Sequence, residues 1–327
     1  MTVAKKVSSS FCYYMLQVIL CLGCSGIAYP QNLNLVNQDE ATQNTSHNFY
    51  KTDSIFSFRS PKGYFPSLLH NFGEQVSAPL HFKVKQWIIT GAAIGITTLL
   101  IQNDGEIDNW AKTQKQRYNL VNKSSPVITE LGSNYGIGAT CAFGLFSAAF
   151  NNQKGVQTSL LATQAIITSG LWVQLIKQIT GRERPNASYN NSRKEGGQWY
   201  GPLAQHDQDL VVKKPGSSFD AFASGHTATA FSIATVFASQ YNDTPVVPII
   251  SFTAASLVGV TRLTEHQHWA SDVFAGALLG YLCGKQVVKH FNKTHQNNLT
   301  SLSSKQKTKT EFAFIQNGNQ IGFSLKW

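Results

Sequence analysis

Charge is scarce in this sequence. Only 13% of its 327 residues are Asp, Glu, Lys or Arg, against roughly 25% in an average soluble protein. Hydrophobic residues make up 42%, so the chain either buries a large core or meets a membrane. Acidic residues are the scarcer sign, 17 against 27 basic ones, for a formal net charge of +10. That balance suits an anionic substrate or an anionic membrane surface. No basic stripe interleaved with aromatics and no nucleic-acid reader motif occurs, which excludes nucleic acid as the expected partner. No internal repeat of fixed period is present, and no cysteine pattern has zinc-ligand spacing. Three of the five cysteines, Cys12, Cys21 and Cys24, lie in the first 24 residues. The other two, Cys141 and Cys283, stand in apolar stretches and are expected as buried free thiols.

What is present begins with a targeting pattern. Lys5 and Lys6 precede the apolar run Phe11–Leu22, and Gly26-Ile27-Ala28 offers small residues for cleavage. Cleavage after residue 28 is the expectation, with lipidation at Cys24 or an uncleaved anchor as alternatives. Either way the mature chain is exported, to the periplasm or cell envelope. Residues 29–81 read as a polar and aromatic extension with one short helix around Phe65–Phe72.

Residues 82–291 change character. Six apolar segments, 87–102, 136–150, 156–179, 227–241, 246–261 and 273–288, are of helical length and lie between breakers. The fold class expected is all-α, a six-helix bundle. Thr163, Gln164, Thr168, Ser169 and Gln174 interrupt the third segment, so a globular bundle and a polytopic membrane protein both stand as readings. Polar loops are expected at 103–129 and 186–221, the second long enough to serve as a lid or to be a tolerated insertion. A linker at 292–310 leads to 311–327, where alternating residues around Asn317-Gly318 predict a terminal β-hairpin. Two strands cannot close an outer-membrane barrel.

The polar exceptions sit at the helix ends. Consecutive bundle helices run antiparallel, so the end of the third, the start of the fourth, the end of the fifth and the start of the sixth share one side. That side carries Lys177, Arg184, Ser224, Gly225, His226, Arg262, His268 and Asp272. Three cations and a helix N-terminus suit one multi-oxygen anion, and arginine forks match phosphate. His268 and Asp272, four apart, face the same way on a helix. A carboxylate that holds one imidazole nitrogen leaves the other free to attack. His226, from another helix, can protonate a leaving oxygen. His266 and His268, two apart, face apart, which argues against a metal pair. His206, Asp207 and Asp209 read as solvated loop, Glu265 as surface and Trp269 as core.

The ordered blocks Lys177 to Arg184-Pro185, Ser224-Gly225-His226, and Arg262, His268, Asp272 resemble the type 2 phosphatidic acid phosphatase and vanadium haloperoxidase superfamily, over residues 85–290. The resemblance implies a helical bundle and metal-independent phosphate ester hydrolysis without a cofactor. His268 would be the nucleophile, Asp272 its partner and His226 the general acid. Lys177, Arg184, Ser224, Gly225 and Arg262 would bind phosphate. Ala223 replaces the usual Pro and Thr261 the usual Ser. The substrate would be a phosphorylated small molecule or lipid. A vanadate-dependent haloperoxidase and a non-catalytic envelope bundle are the alternatives.

Overall fold

The computed structural model describes residues 61–186, 197–213, 218–307, 311–317 and 320–326. The targeting segment, most of the N-terminal extension and the centre of the 186–221 insert lie outside the described residues. Among the described residues there are nine α-helices, three more than the six expected: α1 (Pro61–Ser77), α2 (Val84–Arg117), α3 (Asn119–Thr129), α4 (Asn134–Ala149), α5 (Gln153–Thr180), α6 (Gln208–Lys213), α7 (Gly225–Gln240), α8 (Val246–Thr264) and α9 (Ala270–Lys307). Strands β1 (Glu311–Asn317) and β2 (Gln320–Lys326) pair antiparallel, with Phe314 opposite Phe323.

Helix α7 is the central element, packed against α5, α8 and α9. Its closeness to α9 comes from glycines spaced by four. A Cβ at Gly276 would collide with the Ser224 carbonyl and one at Gly280 with that of Ala228, while at Gly284 it would fall 2.8 Å from Thr235 Cβ. The first of these contacts presses α9 directly onto the turn that starts α7. The main apolar cluster joins Leu160, Leu161 and Ala165 of α5 to Val236 of α7, Val287 of α9 and Tyr64 of α1. Truncating a fully buried residue such as Leu161 should cost about 2–5 kcal/mol.

Several polar residues inside α5 are satisfied within the protein. Thr158, Thr163 and Thr168 donate to carbonyls one turn back. Ser232 bonds Ser169 across to α7 at 2.9 Å, and Asn71 donates to Gln164 at 3.0 Å. Such closure lets a polar-interrupted helix survive away from water. Helices α2, α5 and α8 are long and apolar enough to cross a membrane. Large apolar side chains on α2 and α8 face outward, among them Trp87, Ile88, Ile94, Leu99, Ile249 and Ile250.

Two boundaries differ from the sequence reading. The loop expected at 103–129 is helical, because α2 runs on to Arg117 and α3 follows. Asp104, Asp108, Ala111 and Lys115 recur at helical spacing and form the docked face of that half of α2. Asp104 meets Arg182, Asp108 meets His266 and Lys115 meets Glu265. The polarity marked a change of surroundings along one helix, which runs through Gly105 without a break. Likewise α9 continues through most of the stretch read as a linker, to Lys307. Cys283 is a buried free thiol. Cys141, expected to be free, is half-buried and disulfide-bonded.

Candidate active site

The site lies at the end of the bundle where α5 and α8 finish and α7 and α9 begin. Helix α5 stops at Gly181, which takes the left-handed conformation at φ 54° and donates its N–H to Lys177 O at 3.1 Å. A glycine does this without the Cβ penalty. The chain then leaves as Arg182-Glu183-Arg184-Pro185 and is stitched to the segment before α7. Ala221 N donates to Arg182 O at 3.0 Å, and Arg184 N to Ser218 O at 3.0 Å. Ser224 is the N-cap of α7, is fully buried, and makes no side-chain bond to the helix backbone. Its hydroxyl instead accepts from Thr227 Oγ1 at 2.9 Å. The opening N–H groups of α7, from Gly225 onward, therefore start a helix without a side-chain cap, with the positive end of its dipole at the site.

All eight residues expected from the sequence stand around this end. Lys177, in the last turn of α5, and Arg262, near the end of α8, are both buried. Arg262 Nη1 donates to Thr129 at 3.1 Å, while its buried Nε has no protein partner. His226 follows Gly225 at the start of α7. Burial first, then the charges of Arg262, His268, Lys177 and Arg184, push its imidazole down to about 2. His268 is fully buried. Burial, then Arg184, Lys177 and Arg262, hold it well below the ordinary histidine value. Both imidazoles are therefore neutral at pH 7.

Asp272 is placed differently from the expected direct bond. His268 Nδ1 lies 2.8 Å from the Ala221 carbonyl and 3.7 Å from Asp272 Oδ2. A carbonyl can only accept, so Nδ1 carries the proton and Nε2 holds the lone pair. Asp272 Oδ2 accepts from Trp269 N at 2.8 Å and Oδ1 accepts from Arg182 Nη1 at 2.5 Å. The carboxylate thus caps α9 and contributes charge near the imidazole without binding it.

Four residues outside the expected set complete the site: Arg182, Asp104, Ser271 and Asp220. Arg182 is fully buried and joins Asp272 to Asp104, with Nη2 at 2.7 Å from Asp104 Oδ2. Ser271 closes the set, its N–H and hydroxyl donating to Asp104 at 2.9 and 2.5 Å. The guanidinium lies 4.6 Å from the centre of the Trp199 ring and 5.6 Å from that of Trp269. Trp269 is core, as expected, and bonds Glu183 O through Nε1 at 2.8 Å. The fourth residue is Asp220. Arg184 grips it with Nε at 2.7 Å and Nη2 at 2.8 Å, Lys177 Nζ adds 3.3 Å, and Ser218 donates to it as well. Burial opposes its ionisation, but Lys177, Arg184 and these donors hold it well below the usual carboxylate range.

The other sequence candidates stay outside. His266 is half-buried and bonds Asp108 at 2.7 Å, and Glu265 pairs with Lys115. His206, Asp207 and Asp209 are exposed. Arg182 lies two residues from a residue already singled out. Asp104 is the first acid after a long apolar run, which was the available signal for a buried partner.

Residues 158–296 match the PAP2 superfamily. Lipid A 1-phosphatase of Porphyromonas gingivalis is 40% identical over 75 residues, 23% of this chain and 17% of that protein. Lipid phosphate phosphatase 1 of Arabidopsis thaliana is 34% identical over 143 residues, 39% of this chain and 42% of that protein. The matches thus span less than half the length of either curated relative. The crystal structure of Aquifex aeolicus LpxE aligns with a TM-score of 0.41 at 25% identity, covering 56% of this chain and 93% of that one. The helix ends that hold Lys177, His226, Arg262, His268 and Asp272 all fall within the segment that matches the PAP2 superfamily.

Proposed function

We propose that the chain is an exported, membrane-embedded phosphatase that removes phosphate from a lipid phosphomonoester or diphosphate through a phosphohistidine. The observation that carries this reading is the contact of His268 Nδ1 with the Ala221 carbonyl. With Nδ1–H donated to Ala221 O at 2.8 Å, Nε2 is the nucleophilic nitrogen. It stands where Lys177, Arg184, Arg262 and the start of α7 would hold the phosphate oxygens. Nε2 attacks phosphorus, the bond from phosphorus to the leaving oxygen breaks, and His226 supplies the proton to that oxygen. Water then attacks the phosphohistidine, gives its proton back to His226, and releases phosphate. His226 must be protonated for the first half. A bound phosphate dianion offsets the cations that depress its pKa and so favours loading that proton. The cations supply the electrostatic stabilisation that a metal provides elsewhere, so the reaction is proposed to need no metal or other cofactor.

The relatives' names supply the substrate class, since both act on phosphate groups carried by lipids. The outward apolar faces of α2 and α8 support the membrane reading over the globular one. Helix α8, with 19 residues, is about 28 Å long, close to a hydrocarbon core of about 30 Å. The pocket at its end would then lie at the membrane surface, where a lipid headgroup is presented. Detergent-purified protein should release phosphate from a lipid phosphate, and His268→Ala should lose at least about 10⁴-fold of that rate. Release of the protein from membranes by carbonate alone would overturn the embedded reading.

A further inference from the structure

A second polar cluster lies far from the phosphate pocket. His70 and Glu74, one turn apart on α1, meet His290 of α9. Asp272 and His290 are eighteen residues apart on one helix, about 27 Å, so neither site borders the other. His70 Nε2 is 3.4 Å from Glu74 Oε1, and His290 Nδ1 is 3.3 Å from Glu74 Oε2. One donor atom from each of the three residues falls within 4.8 Å of the others. A tetrahedral zinc ion with bonds of about 2.0–2.1 Å sets its ligand atoms about 3.3–3.4 Å apart.

Two further observations point to a ligand. The His290 side chain is only 10% exposed, and its Nδ1 is buried without a hydrogen-bond partner although it faces the carboxylate. Gln286, one turn before His290, donates Nε2 to Glu74 Oε2 at 2.5 Å. Such outer contacts fix a ligating carboxylate. His70, by contrast, is 65% exposed, which leaves the cluster open to solvent on one side.

We propose that His70, Glu74 and His290 bind one divalent transition-metal ion of the zinc class and that this ion clamps α1 to α9. The ligand set of two imidazoles and one carboxylate leaves a fourth position for water. The ion's role is to hold α1, which otherwise docks through Tyr64, Asn71 and Gln75.

The test uses untagged full-length protein in detergent, stripped with a chelator and titrated with Zn²⁺ and, separately, Co²⁺. One equivalent of Zn²⁺ should survive desalting, Co²⁺ should give the visible bands of a four-coordinate site, and Zn²⁺ should raise the thermal midpoint. His70→Ala removes an exposed ligand and should keep the metal-free midpoint. It should weaken Zn²⁺ binding at least about tenfold and abolish the Zn²⁺-dependent shift. No retained metal in the wild type, or undiminished binding in both His70→Ala and Glu74→Gln, would overturn the proposal. None of these readouts uses phosphate release, so their failure is separate from failure of the phosphatase reading.

Discussion

Arg182 and Arg184 stand two residues apart and lead opposite lives. Arg182 has no exposed surface, lies against two tryptophan rings, and joins Asp104 and Asp272. Arg184 is half-buried and spends its Nε–Nη2 fork on Asp220. Both are arginine–carboxylate pairs, but the first is sealed and the second is open to the pocket. A sealed pair cannot exchange its partner without exposing a buried charge, so it fixes the start of α9. An open pair can exchange. The fork that holds the two oxygens of Asp220 is the geometry that holds two oxygens of a phosphate. On the proposed phosphate-binding role of Arg184, Asp220 occupies the fork that a phosphate would take.

Breaking the sealed pair should have the largest effect on the fold. Arg182→Ala leaves Asp104 and Asp272 buried without a counter-charge and should destabilise the protein by about 3–5 kcal/mol, seen as a collapse of detergent-stable yield and thermal midpoint. Arg182→Lys should not rescue it, because one ammonium cannot span both carboxylates.

Breaking the open pair should move activity instead. Arg184→Ala should cost about 10²–10³-fold in phosphate release, the usual loss for one donor to developing charge, while the thermal midpoint shifts little. Equal losses of stability in Arg182→Ala and Arg184→Ala would erase the distinction drawn between them.

A smaller effect is expected from Asp220→Asn. Removing the competing charge while keeping the shape should tighten inhibition by inorganic phosphate about three- to tenfold, the scale of one screened charge near a surface. Weaker phosphate inhibition would mean that Asp220 positions the cations and does not compete for them.

A separate effect is expected in the pH dependence of stability. His226 is held at about 2 against an unfolded value of about 6.5. Its contribution is present above pH 6.5 and is lost as the pH falls from there towards 2, because the unfolded chain takes up the proton first. Asp220 shifts the same way, and its contribution fades only below about pH 4, the ordinary carboxylate value. The thermal midpoint of the empty protein should therefore decline on acidification from pH 6.5, with a shallower slope in His226→Asn.

The pocket residues were legible because each stands at a helix end, where a histidine or arginine beside an apolar run needs a partner. Antiparallel connection then put Lys177, Ser224, His226, Arg262 and His268 at one end without any distance information. What spacing could not supply was the assignment of partners. Asp272 is four residues from His268, yet Arg182 and Trp269 N claim its oxygens and Ala221 O claims the imidazole. Hydropathy also misplaced the end of α2. That helix passes from an outward apolar half to a half docked through Asp104, Asp108 and Lys115, and composition follows surroundings more closely than backbone conformation. The histidines of the second cluster were hidden for a similar reason. His70 and Glu74 show helical spacing only once α1 is known to be a helix, and His290 lies more than two hundred residues away.

The central claim is that phosphate passes through Nε2 of His268. Rapid acid-free quenching of the enzyme during turnover of a phosphate-labelled lipid phosphate tests it most directly. The account predicts an acid-labile, base-stable label on His268 in the wild type and none in His268→Ala. Full turnover with no protein-bound label under conditions that slow the second step, or a label that persists in His268→Ala, would contradict it.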